Sequence, residues 1–316
     1  NAFASLTSSI FGEKRLKAGD EYITTAVAFP TTVNPGVLYG LKPVFIDAEL
    51  RTLNIDISKI ESAITEKTRL IMVAHTLGIP FDIEKIVLLA KKYNLWVIED
   101  CCDALGSQYN GKYVGTFGHI ATFSFYPAHQ ITMGEGGAVV TNNPLIHRSI
   151  RQFRDWGRDC WCDPGKDNTC GRRFQWKMGD LPFGYDHKYI YSQIGFNLKL
   201  TDFQAAIGVA QLKKLPGFIK KRKENYAKLF NFFSKYPKYF QIIKKNKKMN
   251  PCWFGFPVIV KKNAPFSRND ITMYLEEKKI GSRNIFSGNL LKHPAYKRVD
   301  YRIVGSLKNA DTVADY

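Results

Sequence analysis

Thr122-Phe123-Ser124-Phe125-Tyr126-Pro127-Ala128-His129-Gln130-Ile131-Thr132-Met133-Gly134-Glu135-Gly136-Gly137 is the stretch on which the reading of this chain turns. Its aromatic and β-branched start predicts a short buried strand. Pro127 cannot continue a ladder, so a turn follows, and that turn carries an exposed histidine, His129. The glycines at 134, 136 and 137 then bend the chain into a further strand at 138–141. Ser124 therefore ends a strand, and a proton-transfer side chain stands five residues on. No lysine occurs between Lys112 and Lys166, although lysine is abundant elsewhere.

Upstream, the pattern alternates between helix and strand. A helix is expected over 4–14, a strand over 21–26, a helix from Phe29 to about residue 41, and a strand over 44–47. An amphipathic segment at 56–66 precedes a β-branched strand at 69–74, a helix at 83–93 and a strand at 95–99 with Asp100 at its carboxyl end. Such alternation predicts a mostly parallel sheet covered on both faces. Ligands of these sheets sit at the carboxyl ends of the strands. Downstream, 144–156 reads as a helix, and periodicity then stops. A cysteine-, glycine- and aromatic-rich insertion fills 157–197, a length that a compact enzyme keeps for a purpose. Thr201 and Asp202 can cap a long helix, interrupted or bent near Pro216, that runs towards Phe233. A strand at 253–260 and a helix at 268–278 suit a smaller second domain. The expected division is a large domain over 1–205 and a small one over 206–316. The chain is expected to continue past both Asn1 and Tyr316.

At 316 residues the chain can bury a sizeable core. It has no apolar run long enough to span a bilayer, and its first residues lack the order of a signal peptide. The net charge of +18 is concentrated in runs such as 220–223 and 244–248, which read as solvated faces. No nucleic-acid partner is read from it; a basic field equally suits an anionic nucleoside diphosphate sugar. The six cysteines at 101, 102, 160, 162, 170 and 252 do not spread as in an exported disulfide scaffold. Their clustering points to a reducing cytoplasm and a metal centre.

Cys160-Trp161-Cys162 and Cys170 lie on one glycine-containing loop, so their thiolates can converge. Cys102 is the candidate for a fourth, because residues 100 and 102 share a side in extended chain. Four thiolates suit an iron–sulfur cluster or structural zinc, and the spacing leaves both open. Cys101 reads as core, and Cys252 has no evident partner.

The segment around Ser124 and His129 resembles the cofactor segment of the nucleotide-sugar aminotransferases, the DegT/StrS family of pyridoxal-phosphate enzymes. There a serine binds the cofactor phosphate and a lysine five residues later forms the internal Schiff base. The resemblance implies an α/β fold of the aspartate aminotransferase-like type, fold type I, with a three-layer α/β/α large domain and a smaller C-terminal α+β domain. It implies that Asp100 pairs with the pyridine nitrogen, that Asp103 also lies at the cofactor, that Phe29 stacks on its ring and that Ser124 binds its phosphate. Asn197, in Gly195-Phe196-Asn197-Leu198, matches an asparagine that reaches the neighbouring subunit's cofactor, which implies a homodimer. Since imidazole cannot form an imine, His129 implies a cofactor held without a covalent bond.

Asp100-Cys101-Cys102-Asp103, the histidine of Phe-Ser-Phe-Tyr-Pro-Ala-His, and the Cys-x57-Cys-x-Cys-x7-Cys spacing of Cys102, Cys160, Cys162 and Cys170 narrow this. Together they resemble the CDP-4-dehydro-6-deoxyglucose 3-dehydrase family over essentially the whole chain. That resemblance implies pyridoxamine 5′-phosphate, a 2Fe–2S cluster on those four cysteines, and 3,6-dideoxysugar synthesis for lipopolysaccharide O-antigen. It implies His129 as the base at the cofactor's C4′ carbon, Tyr126 and Phe254 as active-site residues, and an NADH-dependent flavin/iron–sulfur reductase as electron donor. The family's Gly-Ser-Ser phosphate turn lies just before Asn1 and is absent here, so weak cofactor binding by this chain is expected. Two alternatives are a cluster-free enzyme of the GDP-4-keto-6-deoxymannose 3-dehydrase type and a non-catalytic relative holding zinc.

Overall fold

The β-branched runs form the strands of one seven-stranded sheet in the computed structural model, which describes residues 1–163 and 165–316. We label these strands β1 (Glu21–Thr25), β2 (Lys42–Ile46), β3 (Thr68–Ala74), β4 (Trp96–Asp100), β5 (Ile120–Ser124), β6 (Gly137–Val140) and β7 (Arg302–Val304). Their order across the sheet is β7-β2-β1-β3-β4-β5-β6. Every neighbouring pair is parallel except β5 and β6, which are antiparallel. The reason is the link between them: residues 125–136 contain no helix to carry the chain back across the sheet. β1 and β4 are buried at every residue, as strands covered on both faces must be.

β7 comes from residues inside the expected 206–316 unit, and it pairs with β2 at the edge of the large sheet. Elsewhere the small pairings are short. Phe240–Ile242 runs antiparallel to Val258–Val260, and Met249–Asn250 pairs with Gln108–Tyr109. The expected strand at 253–260 is thus confined to its last three residues. The expected helix at 4–14 is also replaced by two short pieces, Ala2–Ser5 and a 3₁₀ turn at Ser9–Lys14, where Gly12 takes a left-handed φ of 53° and breaks the turn. At 56–66 a 3₁₀ turn leads into only one helical turn, Ile60–Ala63. The long helix beyond Thr201 divides into Asp202–Leu212, opened by a Thr201–Gln204 capping box, and Leu215–Phe233, with Pro216 in its first turn.

The carboxyl ends of β1, β3, β4 and β5 lie along one edge of the sheet. In register, Ala74 faces Asp100 and Asp100 faces Thr122. Glu99 and Asp100 point to opposite faces, as strand alternation requires. Glu99 is fully buried and accepts from the N–H groups of Gly115, Phe117 and Gly118 at 2.8, 2.9 and 2.6 Å, with His75 Nε2 at 3.1 Å. Burial opposes its ionisation, but His75 and the N–H groups hold its carboxyl below the usual range. This buried pair fastens the back of β4 and leaves Asp100 to face the site.

Candidate active site

Asp100 ends β4 and is nearly buried. Its Oδ2 accepts a 2.7 Å hydrogen bond from Thr32 Oγ1, and its Oδ1 accepts from the Cys102 N–H at 3.1 Å. Thr32 lies in the first turn of the helix Pro30–Leu38, which follows β1 after a four-residue link ending in Phe29, its extended N-cap. The Phe29 ring is 54% exposed over this edge and meets Phe286 edge-on at 6.2 Å. One carboxylate oxygen pair thus faces the strand ends, with an aromatic face available beside it.

Asp103 lies three residues on and is also nearly buried. Its Oδ2 accepts from the Leu77 N–H at 3.2 Å. Leu77 adopts a left-handed φ of 54°, a strained conformation for a leucine, which turns this N–H towards the carboxylate. Gly78 is required next to it: a Cβ there would meet the backbone oxygens of Asp103 and Cys252 at 2.8 and 2.9 Å. Burial, then the Asp100 charge, pushes the Asp103 carboxyl up to about 7.

His129 is not the exposed turn residue expected from the sequence. Its side chain is only 13% exposed and turns inward, with Nδ1 3.5 Å from Asp103 Oδ1. That is an ion-pair separation without hydrogen-bond geometry, and Nδ1 has no hydrogen-bond partner. The turn itself closes through a 3.0 Å bond from the His129 N–H to the Tyr126 carbonyl. Tyr126 is exposed, with its ring 6.2 Å from the imidazole, and the Phe254 ring lies 5.1 Å from it. Burial lowers the His129 pKa below the ordinary value; the Asp100 charge and the Cys102 backbone oppose this, and Arg222 adds to it. Its free base is therefore the main form at neutral pH. Ser124 ends β5, and its Oγ accepts from the Tyr126 N–H at 3.2 Å.

Asp100, Asp103, Ser124, Tyr126, His129, Phe29 and Phe254 all belong to this edge or pack against its members. Asn197 does not join them. It forms an isolated bridge with Asp155 at the end of the insertion and is exposed.

The cysteines divide. Cys162 interacts with the Thr169 hydroxyl, the Cys170 backbone, and the thiols of Cys160 and Cys170, which together pull its pKa down to about 7. Cys102 lies against Asp100 and Thr122. Its Sγ lies 3.9 Å from Thr122 Oγ1, and burial, then the Asp100 charge, pushes its thiol far up. Among the described residues, no three of these four thiols lie within 4.8 Å of one another; the one set of three ligand-type groups that close is His75, Glu99 and Cys101, whose Glu99 is already satisfied. Cys101 and Cys252 are fully buried. The loop is rooted by Asp159, which takes hydrogen bonds from Arg148 at 3.1 Å and Gln152 and sits 3.1 Å from the buried His187.

Thr32, Gln130 and Arg222 escaped the sequence reading. Gln130 is buried and donates from Nε2 to the carbonyls of Asp103 and Cys252, the latter at 3.1 Å. Its place beside His129 was the available signal. Arg222 was hidden in a basic run.

Residues 5–316 match the DegT/DnrJ/EryC1/StrS aminotransferase family. The chain is 52% identical over 312 residues to lipopolysaccharide biosynthesis protein RfbH of Salmonella typhimurium, covering 99% of this chain and 71% of that protein. It is 49% identical over 314 residues to dTDP-4-dehydro-2,6-dideoxy-D-glucose 3-dehydratase of Saccharopolyspora spinosa, covering 99% and 68%. Among solved structures, the GDP-4-keto-6-deoxy-D-mannose-3-dehydratase of E. coli with bound hydrated PLP superposes with a TM-score of 0.84 at 31% identity, covering 99% of this chain and 77% of that one. The expected fold, a PLP-dependent transferase of fold type I, is thereby established.

Proposed function

The chain belongs to the DegT/DnrJ/EryC1/StrS aminotransferase family, and on that premise we propose that it removes the C3 hydroxyl of CDP-4-keto-6-deoxyglucose, using pyridoxamine 5′-phosphate, in 3,6-dideoxysugar synthesis for lipopolysaccharide O-antigen. The observation that carries this reading is His129: an imidazole, turned inward beside Asp103, occupies the turn where covalent anchoring would need an amine. The relatives named as 3-dehydratases support it, as does the absence of lysine between Lys112 and Lys166.

The residues suit this cofactor. Asp100 offers a carboxylate fixed by Thr32 at a strand end, Phe29 offers an open aromatic face, and Ser124 offers a hydroxyl for the phosphate. When bound, the cofactor supplies an amine for the 4-keto group and a ring that accepts electrons. Asp100, fixed by Thr32, would pair with the ring nitrogen. His129, neutral at pH 7, accepts the C4′ proton and returns a proton to the departing C3 hydroxyl. Because Nδ1 faces Asp103, Nε2 is the atom left to serve the substrate. Tyr126 and Phe254 flank the imidazole and restrict its swing.

Cys160, Cys162 and Cys170, with Cys102, would hold a 2Fe–2S cluster, which supplies a one-electron carrier. The donor set suits it in number and chemistry: three of the thiols share one loop, and the Cys102 thiol lies 3.9 Å from Thr122 Oγ1 beside Asp100. The electron donor in this reading is a separate NADH-dependent flavin/iron–sulfur reductase. The chain works as a homodimer, with Asn197 serving the neighbouring site. The exposed apolar side chains near it favour this, Ile194 at 94% and Phe203 at 86% exposure. No helix among the described residues is long and apolar enough to cross a membrane.

The test is an anaerobic assay of the full-length protein with pyridoxamine phosphate, a reductase and the CDP-, dTDP- or GDP-linked 4-keto-6-deoxyhexose. Loss of the C3 oxygen is expected, fastest with the CDP-sugar. Amine transfer without deoxygenation would overturn the proposal, and preference for the GDP-sugar by iron-free protein would favour the cluster-free type.

A further inference from the structure

We propose that Arg222 is a positioning residue for His129, holding the histidine turn and the Trp253–Phe254 segment in one frame. This rests on the reading of His129 as the proton-transfer group. The guanidinium donates to three backbone carbonyls: from Nη1 to Trp253 O at 3.1 Å and Phe254 O at 2.9 Å, and from Nη2 to His129 O at 3.3 Å. A planar fork of donors holds two separate segments at fixed angles, which the rotatable donors of an ammonium do not. Those segments carry the imidazole and the ring packed against it at 5.1 Å.

The clamp is itself fixed. Arg222 lies on the helix Leu215–Phe233, and residues one helical turn to either side anchor that face. Ile219 fills the space where a Cβ on Gly106 would stand. Tyr226 stacks on Trp253 with ring centroids 3.4 Å apart and planes 4° from parallel. Lys223 Nζ donates to Asn250 Oδ1 at 2.8 Å. From the other side, the Phe254 N–H donates to Leu77 O at 2.9 Å, and the Leu77 N–H reaches Asp103. A continuous path of hydrogen bonds thus runs from the carboxylate beside His129 Nδ1, through Leu77 and Phe254, to the guanidinium on the His129 carbonyl. Removing Arg222 frees both segments, and a shift of about 1 Å in a reacting group can cost roughly a hundredfold in rate.

The experiment compares full-length Arg222→Gln, Arg222→Lys and His129→Asn with wild type. Readouts are kcat, KM for the nucleotide sugar, the pH profile, and the titration of the His129 imidazole followed by NMR in protein without cofactor. Arg222→Gln is expected to lower kcat by about tenfold to a hundredfold with KM within about twofold. It should also move the His129 midpoint to higher pH, since a nearby cation is lost. Arg222→Lys keeps the charge but not the fork, so its midpoint should stay near wild type while kcat remains reduced. A lowered melting temperature with unchanged kcat and imidazole midpoint in both variants would make Arg222 merely structural and overturn the proposal. If His129→Asn retains full activity, the reading of His129 itself fails. If His129→Asn is inactive while both Arg222 variants match wild type, the role of Arg222 alone fails.

Discussion

Replacing Asp103 with asparagine should make the protein more stable at high pH than at low pH, relative to wild type. The wild-type carboxyl moves from 3.8 to about 7 on folding, because burial and the Asp100 charge disfavour its ionised form. Between those values the folded state binds more protons than the unfolded state, so this group's contribution to stability falls as pH rises and is fully lost above pH 7. The shift corresponds to roughly 4 kcal/mol at pH 8. Asparagine keeps a side-chain oxygen to accept the Leu77 N–H and has no charge to bury. Urea unfolding of both full-length proteins at pH 5, 6, 7 and 8 reads the difference directly. The stability gained by Asp103→Asn should grow by about 2 to 3 kcal/mol from pH 5 to pH 8. A difference that stays flat, or shrinks, would refute the assigned environment of Asp103. The same variant should lose kcat, since the group beside His129 Nδ1 is changed, so stability is gained at the expense of function.

Further outcomes follow from the same geometry. His129→Lys should attach added pyridoxal phosphate covalently, giving imine absorbance, and should gain amine transfer while losing deoxygenation. Serine at 160 or 162 should remove iron and acid-labile sulfide from anaerobically purified protein, whereas Cys252→Ser should retain both; stoichiometric zinc without sulfide in wild type would favour the non-catalytic reading. Glu99→Gln should cost roughly 3 kcal/mol in urea unfolding, because His75 and three N–H groups lose the buried charge they surround. Phe203→Glu should shift the protein from dimer to monomer by light scattering, since its side chain is 86% exposed on the single chain.

The sheet was legible because its strands are continuous runs of β-branched and apolar residues, which both-face burial demands. Asp100 was legible for a related reason: a carboxylate after such a run must end at the strand's edge. The aromatic run at 253–260 misled, because it reads as strand but spends its groups elsewhere. Trp253 stacks on Tyr226, the Cys252 N–H donates to Ser107 Oγ, and the Phe254 N–H donates to Leu77. Local pattern also hid the inward turn of His129 and the partners of Asp100. Thr32 lies 68 residues from Asp100, and Arg222 lies 93 from His129, separations that no period or cap reveals. The cysteine spacing marked a common loop for Cys160, Cys162 and Cys170, and the side shared by residues 100 and 102 put Cys102 with Asp100.

Proton movement at C4′ by His129 can be followed with pyridoxamine phosphate labelled by tritium at that carbon. Full-length protein is mixed with the 4-keto sugar nucleotide, and label released to water is counted for wild type and His129→Asn. Release by wild type with a loss of about a hundredfold or more in the variant is the predicted result. Equal rates of release from the two proteins would contradict it.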